Sequence, residues 1–328
     1  MADLQVNSTT AVTFDRFGDV GALTLTTSRD APLGATQVRV AVTVAGLNPV
    51  DWQIVESEEL AAAFGITSTP AGFGNDFAGV VSETGADVTR WRVGDRVFGG
   101  ARGAAVATSV VLDQDHRSLH RTPDAVDDLS AGVLDIAGRT ASAVAAALAA
   151  RPREVVLVGS AAGGVGSILT QLLVRAGARV IGTGSPASAD AIRALGAEPV
   201  AYGAGLEDAV RGMVSGPVAA AADLYGTATA LSALRLGVPA ERVVTIETED
   251  PPGGARAVNG SDAPSDAIQV LTELIGSGDL IVPIAATYDL ARFSEAVAFQ
   301  RARHAHGKVA VVVRRPEQGG YAPTSPST

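Results

Sequence analysis

The 328-residue chain contains no cysteine, which excludes disulfides, a thiol nucleophile and every thiolate metal site. It has no block of Lys and Arg, and its net charge of −10 would repel a phosphate backbone, so a nucleic-acid partner is not expected. The N-terminus, Met1 to Asn7, has no basic region followed by an apolar run, and no segment approaches the ~18 apolar residues that span a bilayer. These absences lead to the expectation of a cytoplasmic chain with no membrane partner. There is also no internal repeat. What remains is 47% hydrophobic and 18% charged, the composition of a folded globule. A chain this long exceeds what one core usually supports, so two domains are expected; only the stretch from Pro316 reads as a loose tail.

Val38, Val40, Val42 and Val44 alternate with Arg39, Ala41 and Thr43, the period of a half-buried strand, and Phe77 to Val81 reads similarly. Glycine-rich turns at Gly72 to Asn75, Gly85 to Asp87 and Gly99 to Gly103 separate such segments. After Asp127-Asp128 the character changes. An alanine-rich helical run from Thr140 to Ala150 opens an alternation of strands and helices, which indicates βαβ units and a parallel sheet. Strands are expected at Val155 to Val158, Arg179 to Thr183, Ala219 to Leu224, Arg242 to Ile246 and Leu280 to Ile284. Helices are expected after Gly163, after Ser185-Pro186 and over Ala267 to Ile275. Thr248 to Ser265 reads as a polar connection.

The strongest motif is Val155-Val156-Leu157-Val158-Gly159-Ser160-Ala161-Ala162-Gly163-Gly164-Val165-Gly166, a buried strand turning through small residues into a helix. A dinucleotide pyrophosphate needs this arrangement, because amides at a helix N-terminus face the anion while side chains would block it. Gly163 allows close approach and Gly166 lets the helix pack on the strand, with Ala161 in the place of the first glycine. Ser160, Ala161, Gly163, Gly164, Val165 and Gly166 are therefore the candidate cofactor loop. The next strand ends in Gly182-Thr183-Gly184-Ser185 without the acid that binds the ribose hydroxyls of NAD. Thr183 and Ser185 leave room for a 2′-phosphate, so NADPH is favoured; Ser185 as a helix cap is the other reading, and both roles are compatible.

With these residues in view, the sequence resembles the medium-chain dehydrogenase/reductase superfamily, in its zinc-independent, quinone oxidoreductase-like branch. The resemblance rests on Ala45-Gly46-Leu47-Asn48-Pro49-Val50-Asp51-Trp52, Gly74-Asn75-Asp76-Phe77-Ala78-Gly79-Val80-Val81, and Arg92-Val93-Gly94-Asp95-Arg96-Val97-Phe98-Gly99. It continues through Ala137-Gly138-Arg139-Thr140-Ala141, the Ala161 to Gly166 loop, Ala194-Leu195-Gly196-Ala197 and Gly307-Lys308-Val309-Ala310-Val311. It implies an α/β fold in which a GroES-like β domain (1–130 and 283–328) carries an inserted Rossmann domain (131–282), with the active site in the cleft between them and a homodimer as the assembly. Zinc relatives place Cys where Asn48 stands and His where Asn75 stands, so a metal is not expected. His116 with His120, and His304 with His306, lack a carboxylate-completed set.

The resemblance further implies hydride transfer from NADPH to a small-molecule conjugated carbonyl such as a quinone or enone, whose delocalisation replaces a Lewis acid. Asn48 is expected beside the nicotinamide and substrate. Asp51 either orients it, joins a proton relay or caps a helix. Thr140 lies near the nicotinamide by its match to the family, or bonds its own helix backbone. Thr245 and Ile246, ending a strand, line the nicotinamide site. Trp52, Phe64 and Phe73 are candidate pocket walls, with core packing the competing role. Relatives carry tyrosines around the segment Gly103 to Ser109, which has none here, and prefer a small uncharged residue at Arg139. Two alternatives stay open: an enoyl reductase of a biosynthetic pathway, and a cofactor-binding homologue without turnover.

Overall fold

The computed structural model describes residues 8–246, 250–302 and 305–314. The Met1 to Asn7 segment, Thr248, His304 and the tail from Pro316 lie outside the described residues. Contacts divide the chain into two units, Met1–Ile136 with Ile284–Thr328, and Ala137–Pro283. The first division falls inside a helix, a few residues beyond the change of character at Asp127-Asp128.

The first unit is built mainly on antiparallel strands. β1 (Ser8–Phe14) pairs with β2 (Thr24–Arg29) and with the short β4 (Ala71–Gly72). β3 (Gln37–Leu47) is the centre of a larger sheet and pairs with β5 (Asp76–Thr84) and β7 (Ser109–Asp113); β6 (Arg96–Gly100) and β8 (Leu119–Arg121) extend it. Val38, Val40, Val42, Phe77, Val81, Val97 and Leu112 form one core on this sheet, which is why the valine alternation persists through β3. Gly79 is forced by the close crossing of β3, since a Cβ there would lie 2.2 Å from Ala41 O. Gly99 and Gly100, read from the sequence as turn residues, are the last two residues of β6, because their backbones continue the pairing with Phe77 and Asp76.

At the end of β3 the chain turns into α1 (Pro49–Glu56), followed by α2 (Glu58–Ala63). Asn48 is extended and Pro49 opens the helix, where a missing N–H costs nothing. α3 (Asp128–Ala131) then precedes α4 (Asp135–Leu148).

The second unit holds a parallel sheet in the order β11-β10-β9-β12-β13-β14, comprising β9 (Val155–Val158), β10 (Arg179–Gly184), β11 (Glu198–Ala201), β12 (Val218–Asp223), β13 (Val243–Thr245) and β14 (Arg256–Ala257). In chain order this is 3-2-1-4-5-6, the Rossmann order, whose direction reverses at β9. α5 (Gly164–Arg175), α6 (Ala189–Ala194), α7 (Leu206–Met213), α8 (Ala228–Arg235) and α9 (Ala267–Gly276) connect or flank the strands. The fold is α/β, a GroES-like β unit and a Rossmann parallel-sheet unit. β14 interrupts what the sequence presents as a polar connection, and joins the sheet through only two residues.

The chain returns to the first unit through β15 (Ile284–Asp289), α10 (Phe293–Arg301) and β16 (Lys308–Val312). The strand expected at Leu280 to Ile284 is not there; it begins at Ile284 instead. Leu280 and Val282 are buried and Ile281 is exposed, which mimics strand alternation, but Pro283 has no N–H to give a ladder. The side chain of Gln171 satisfies this segment instead, accepting from Ile281 N and donating to Ile281 O. Among the described residues, no helix is long and apolar enough to cross a membrane.

Candidate functional site

The loop after β9 is tied to both neighbouring strands. Gly159 N donates to Ala222 O of β12, while Ser160 N donates to Thr183 Oγ1 and Ala161 N to Thr183 O of β10. Ser160 turns the chain in the left-handed region, at φ 54°. α5 starts immediately afterwards, with Gly163 as its N-cap. The amides of Gly164, Val165 and Gly166 occupy its first turn, where no intrahelical acceptor exists. A Cβ on Gly166 would lie 2.1 Å from Ser160 O, and one on Gly163 2.8 Å from Ser160 Oγ. The loop is thus a cradle that only glycine leaves open, at the point where the strand order reverses. That shape and polarity fit a dinucleotide pyrophosphate. Ala161 is buried, and its methyl covers Gly182, whose own Cβ would be 2.6 Å away, so alanine at this position fills the gap between loop and β10.

Thr183 is buried with its hydroxyl on the loop amide, so it shapes the cradle from beneath. Ser185 stands in the N-cap position of the 3-10 turn Pro186–Ser188 that leads into α6, but its side chain caps nothing. Instead, Ser188 Oγ donates to Ser185 O at 2.8 Å. No acidic side chain occupies Gly184 or Ser185. Thr245 is fully buried and its hydroxyl donates to Gly226 O; Ile246 N donates to Asp223 O. The carboxylate of Asp223 accepts from Tyr225 N, Gly226 N and Ala230 N and so holds the turn after β12. Thr140 is buried in α4, and a Cβ on Gly260 would sit 3.3 Å from its Oγ1.

In the first unit the ends of β3, β5 and β16 bring together Asn48, Asp51, Asn75, Asp76 and Lys308, all buried. Asp51 is the third residue of α1, and its Oδ2 accepts from Asn48 N at 2.7 Å while Oδ1 accepts from Asn75 Nδ2. Asn48 Nδ2 donates to Asp76 Oδ2 at 2.9 Å, and Ile136 N to Asp76 Oδ1 at 3.0 Å. Lys308 Nζ donates to Asn48 Oδ1 and lies 3.4 Å from Asp76 Oδ2. Asp135, also buried, stands close enough to raise the proton affinity of Asp76, and His120 Nε2 is 3.7 Å from Asp135 Oδ1.

Two buried carboxyls, Asp51 and Asp76, thus share the influence of one ammonium, and a third, Asp135, lies beside Asp76. Burial pushes the Asp51 carboxyl up to about 7; the Asn48 N–H opposes this, the Asp76 charge adds to it, and Asn75 and Lys308 oppose it. Burial also raises Asp76, chiefly against the pull of Lys308. The cluster therefore takes up or releases a proton near neutral pH.

The pocket-wall candidates separate. Phe73 belongs to the apolar core with Val12, Phe14, Val106 and Tyr288. Trp52 is half-buried, donates to Gln300 Oε1 and lies under Arg301. Phe64 is half-buried beneath Arg102, whose guanidinium is 5.1 Å from the ring centre. His116 accepts from Ser118 N and, desolvated, has its pKa lowered. Lys308 lies within the Gly307 to Val311 motif, which by itself gives it no role. One signal was available: of 25 Lys and Arg residues it is the single lysine.

Comparison with known proteins places this architecture. Residues 34–147 match the family model described as the alcohol dehydrogenase GroES-like domain. The quinone oxidoreductase of Coxiella burnetii superposes with a TM-score of 0.82 at 26% identity, covering 94% of this chain and 100% of that one. The chain shares the fold of that quinone oxidoreductase and carries the alcohol dehydrogenase GroES-like domain. An Escherichia coli quinone oxidoreductase complexed with NADPH has the same fold, with a TM-score of 0.79 at 22% identity over 93% of this chain and 100% of that one. The chain is also 34% identical over 230 residues to quinone oxidoreductase-like protein 2 of Rattus norvegicus, covering 68% of this chain and 64% of the relative. It is 40% identical over 169 residues to the spectinabilin polyketide synthase system protein NorB of Streptomyces orinoci, 51% of this chain and 7% of that protein. The chain thus spans less than two thirds of the length of either relative.

Proposed function

We propose that the chain is a metal-independent, NADPH-dependent oxidoreductase that reduces a quinone or another conjugated carbonyl. The observation that carries this reading is the β9 loop, anchored on both neighbouring strands and closed to any side chain larger than hydrogen at Gly166. Bound there, NADPH supplies the hydride. The amides of Gly164, Val165 and Gly166 hold its pyrophosphate, and the neutral end of β10 at Gly184 and Ser185 accepts a 2′-phosphate without a repelling carboxylate.

In the first unit, Asn48 uses one Nδ2 hydrogen on Asp76 and its Oδ1 on Lys308. The second Nδ2 hydrogen is the donor we assign to the acceptor oxygen as charge develops on it. Asp51, with a pKa of about 7, is the group beside Asn48 able to hold the accompanying proton. The amides at Asn48 and Asn75 are both committed to carboxylates, which supports chemistry by hydrogen bonding at the two positions where zinc relatives place ligands.

The polyketide synthase match over half the chain supports a second substrate class, an enoyl thioester, reduced with the same hydride geometry. The deciding experiment titrates NADPH and NADH by fluorescence, then follows consumption of the reduced cofactor with quinones, enones and an enoyl thioester. NADPH should bind more tightly than NADH, and a conjugated acceptor should be turned over. NADPH binding with no acceptor reduced would make the chain a cofactor-binding homologue without turnover, and preference for NADH would reverse the cofactor assignment.

A further inference from the structure

Lys308 is the one lysine in a chain with 24 arginines (25 Lys and Arg less one), and it is buried. Guanidinium is the more weakly hydrated cation and the usual choice for a buried pair, so an ammonium here indicates a need for a compact point charge. Its placement follows from register: β16 runs antiparallel to β3 with Val309 opposite Leu47, which sets Lys308 against Asn48. Its Nζ meets Asn48 Oδ1, and the Asp76 carboxylate lies 3.4 Å away.

A carboxamide can face either way, and its two ends differ only in being donor or acceptor. With Asn48 rotated, Nδ2 would face the ammonium and Oδ1 would face Asp76, turning two attractions into two repulsions. We infer that Lys308, with Asp76 as its counter-ion, is a positioning residue that locks the Asn48 carboxamide in the one orientation able to donate to a substrate carbonyl. The inference rests on the reading of Asn48 given above as the polar group beside the acceptor. Asn48 itself meets Asp51 from α1, Asp76 from β5 and Lys308, while Asp135 from the start of α4 acts on Asp76 and His120 from β8 stands by Asp135. The Lys308 charge lowers the proton affinity of Asp51, so its loss moves any rate dependence on Asp51 to higher pH.

A single lysine makes the test direct. In the full chain with isotope-labelled lysine, the one side-chain ammonium should give a signal displaced from that of a solvated lysine. It should inflect near pH 7 with Asp51, lose the inflection in Asp51→Asn and move in Asn48→Ala. A signal at the solvated position, unmoved by either substitution, overturns the inference. In steady state, Lys308→Met should lower kcat about tenfold or more and shift the pH limb upward. It should leave the KM for NADPH within about twofold, and Lys308→Arg should regain part of the loss. Native kcat and an unmoved pH limb in Lys308→Met would equally overturn it. If the native chain reduces no acceptor, the functional reading has failed instead, and the ammonium signal still decides the positioning.

Discussion

Asp51 has lost its water without gaining a direct cationic partner, and that single fact shapes its chemistry. Its folded pKa of about 7 stands above the ordinary 3.8. The folded state therefore holds the proton more tightly than the unfolded chain between those two values. Stability from this group is complete below about pH 4, falls as pH rises through the window and levels off above about 7; the loss is on the order of 4 kcal/mol from three pH units at ~1.4 kcal/mol each. Asp51→Asn, neutral and similar in shape, should flatten this dependence, so denaturant melts at pH 5 and pH 8 should differ less than in the native chain. An equal pH dependence in the variant would place the titration elsewhere. Asn48 and Asp51 were legible as a motif, because Asn-Pro-x-Asp carries both a helix start and two polar groups. Lys308, Asp76 and Asn75 were not assigned roles, because their meeting depends on the pairing of β16 with β3 and of β3 with β5, and register joining residues 260 apart leaves no local trace in sequence.

For single elements, the β9 loop shows why local pattern succeeds. Four apolar residues, a run of small ones and a helical period dictate strand, turn and helix without help from distant chain. Gly166→Ala should fail here, since its Cβ would meet the Ser160 carbonyl at 2.1 Å; the clash should weaken NADPH binding by at least about tenfold and lower the melting temperature. Gly163→Ala meets the movable Ser160 hydroxyl at 2.8 Å and the Ser160 carbonyl oxygen only at 3.2 Å, so the milder loss should be seen there; fluorescence titration of both variants orders them, and the reverse order would contradict this geometry. The same logic explains the misread strand at Leu280 to Ile284. Alternating burial of Leu280 and Val282 is real, but Pro283 and the Gln171 bracket give it a side-chain partner where a strand would have a backbone one. β14 escaped notice because two residues in a polar segment carry no periodicity.

For the molecule as a whole, the parallel sheet of the second unit and the largely antiparallel sheets of the first were both visible as changes of rhythm along the chain, and the place where they divide, inside α4, was not, since a helix shows no break in its pattern. A ligand that binds only the folded state stabilises it by about 2.7 kcal/mol at 100 times its Kd, so saturating NADPH should raise the thermal midpoint by several degrees and raise it little in Gly166→Ala. The most direct test of the central claim reads the loop itself, by the amide signals of the isotope-labelled chain as NADPH is added. The largest shifts should fall on Gly164, Val165 and Gly166, with Thr183 and Ser185 following and NADH acting more weakly. Amides of that first helical turn that stay unmoved at saturating NADPH, while shifts appear elsewhere or nowhere, would contradict the account.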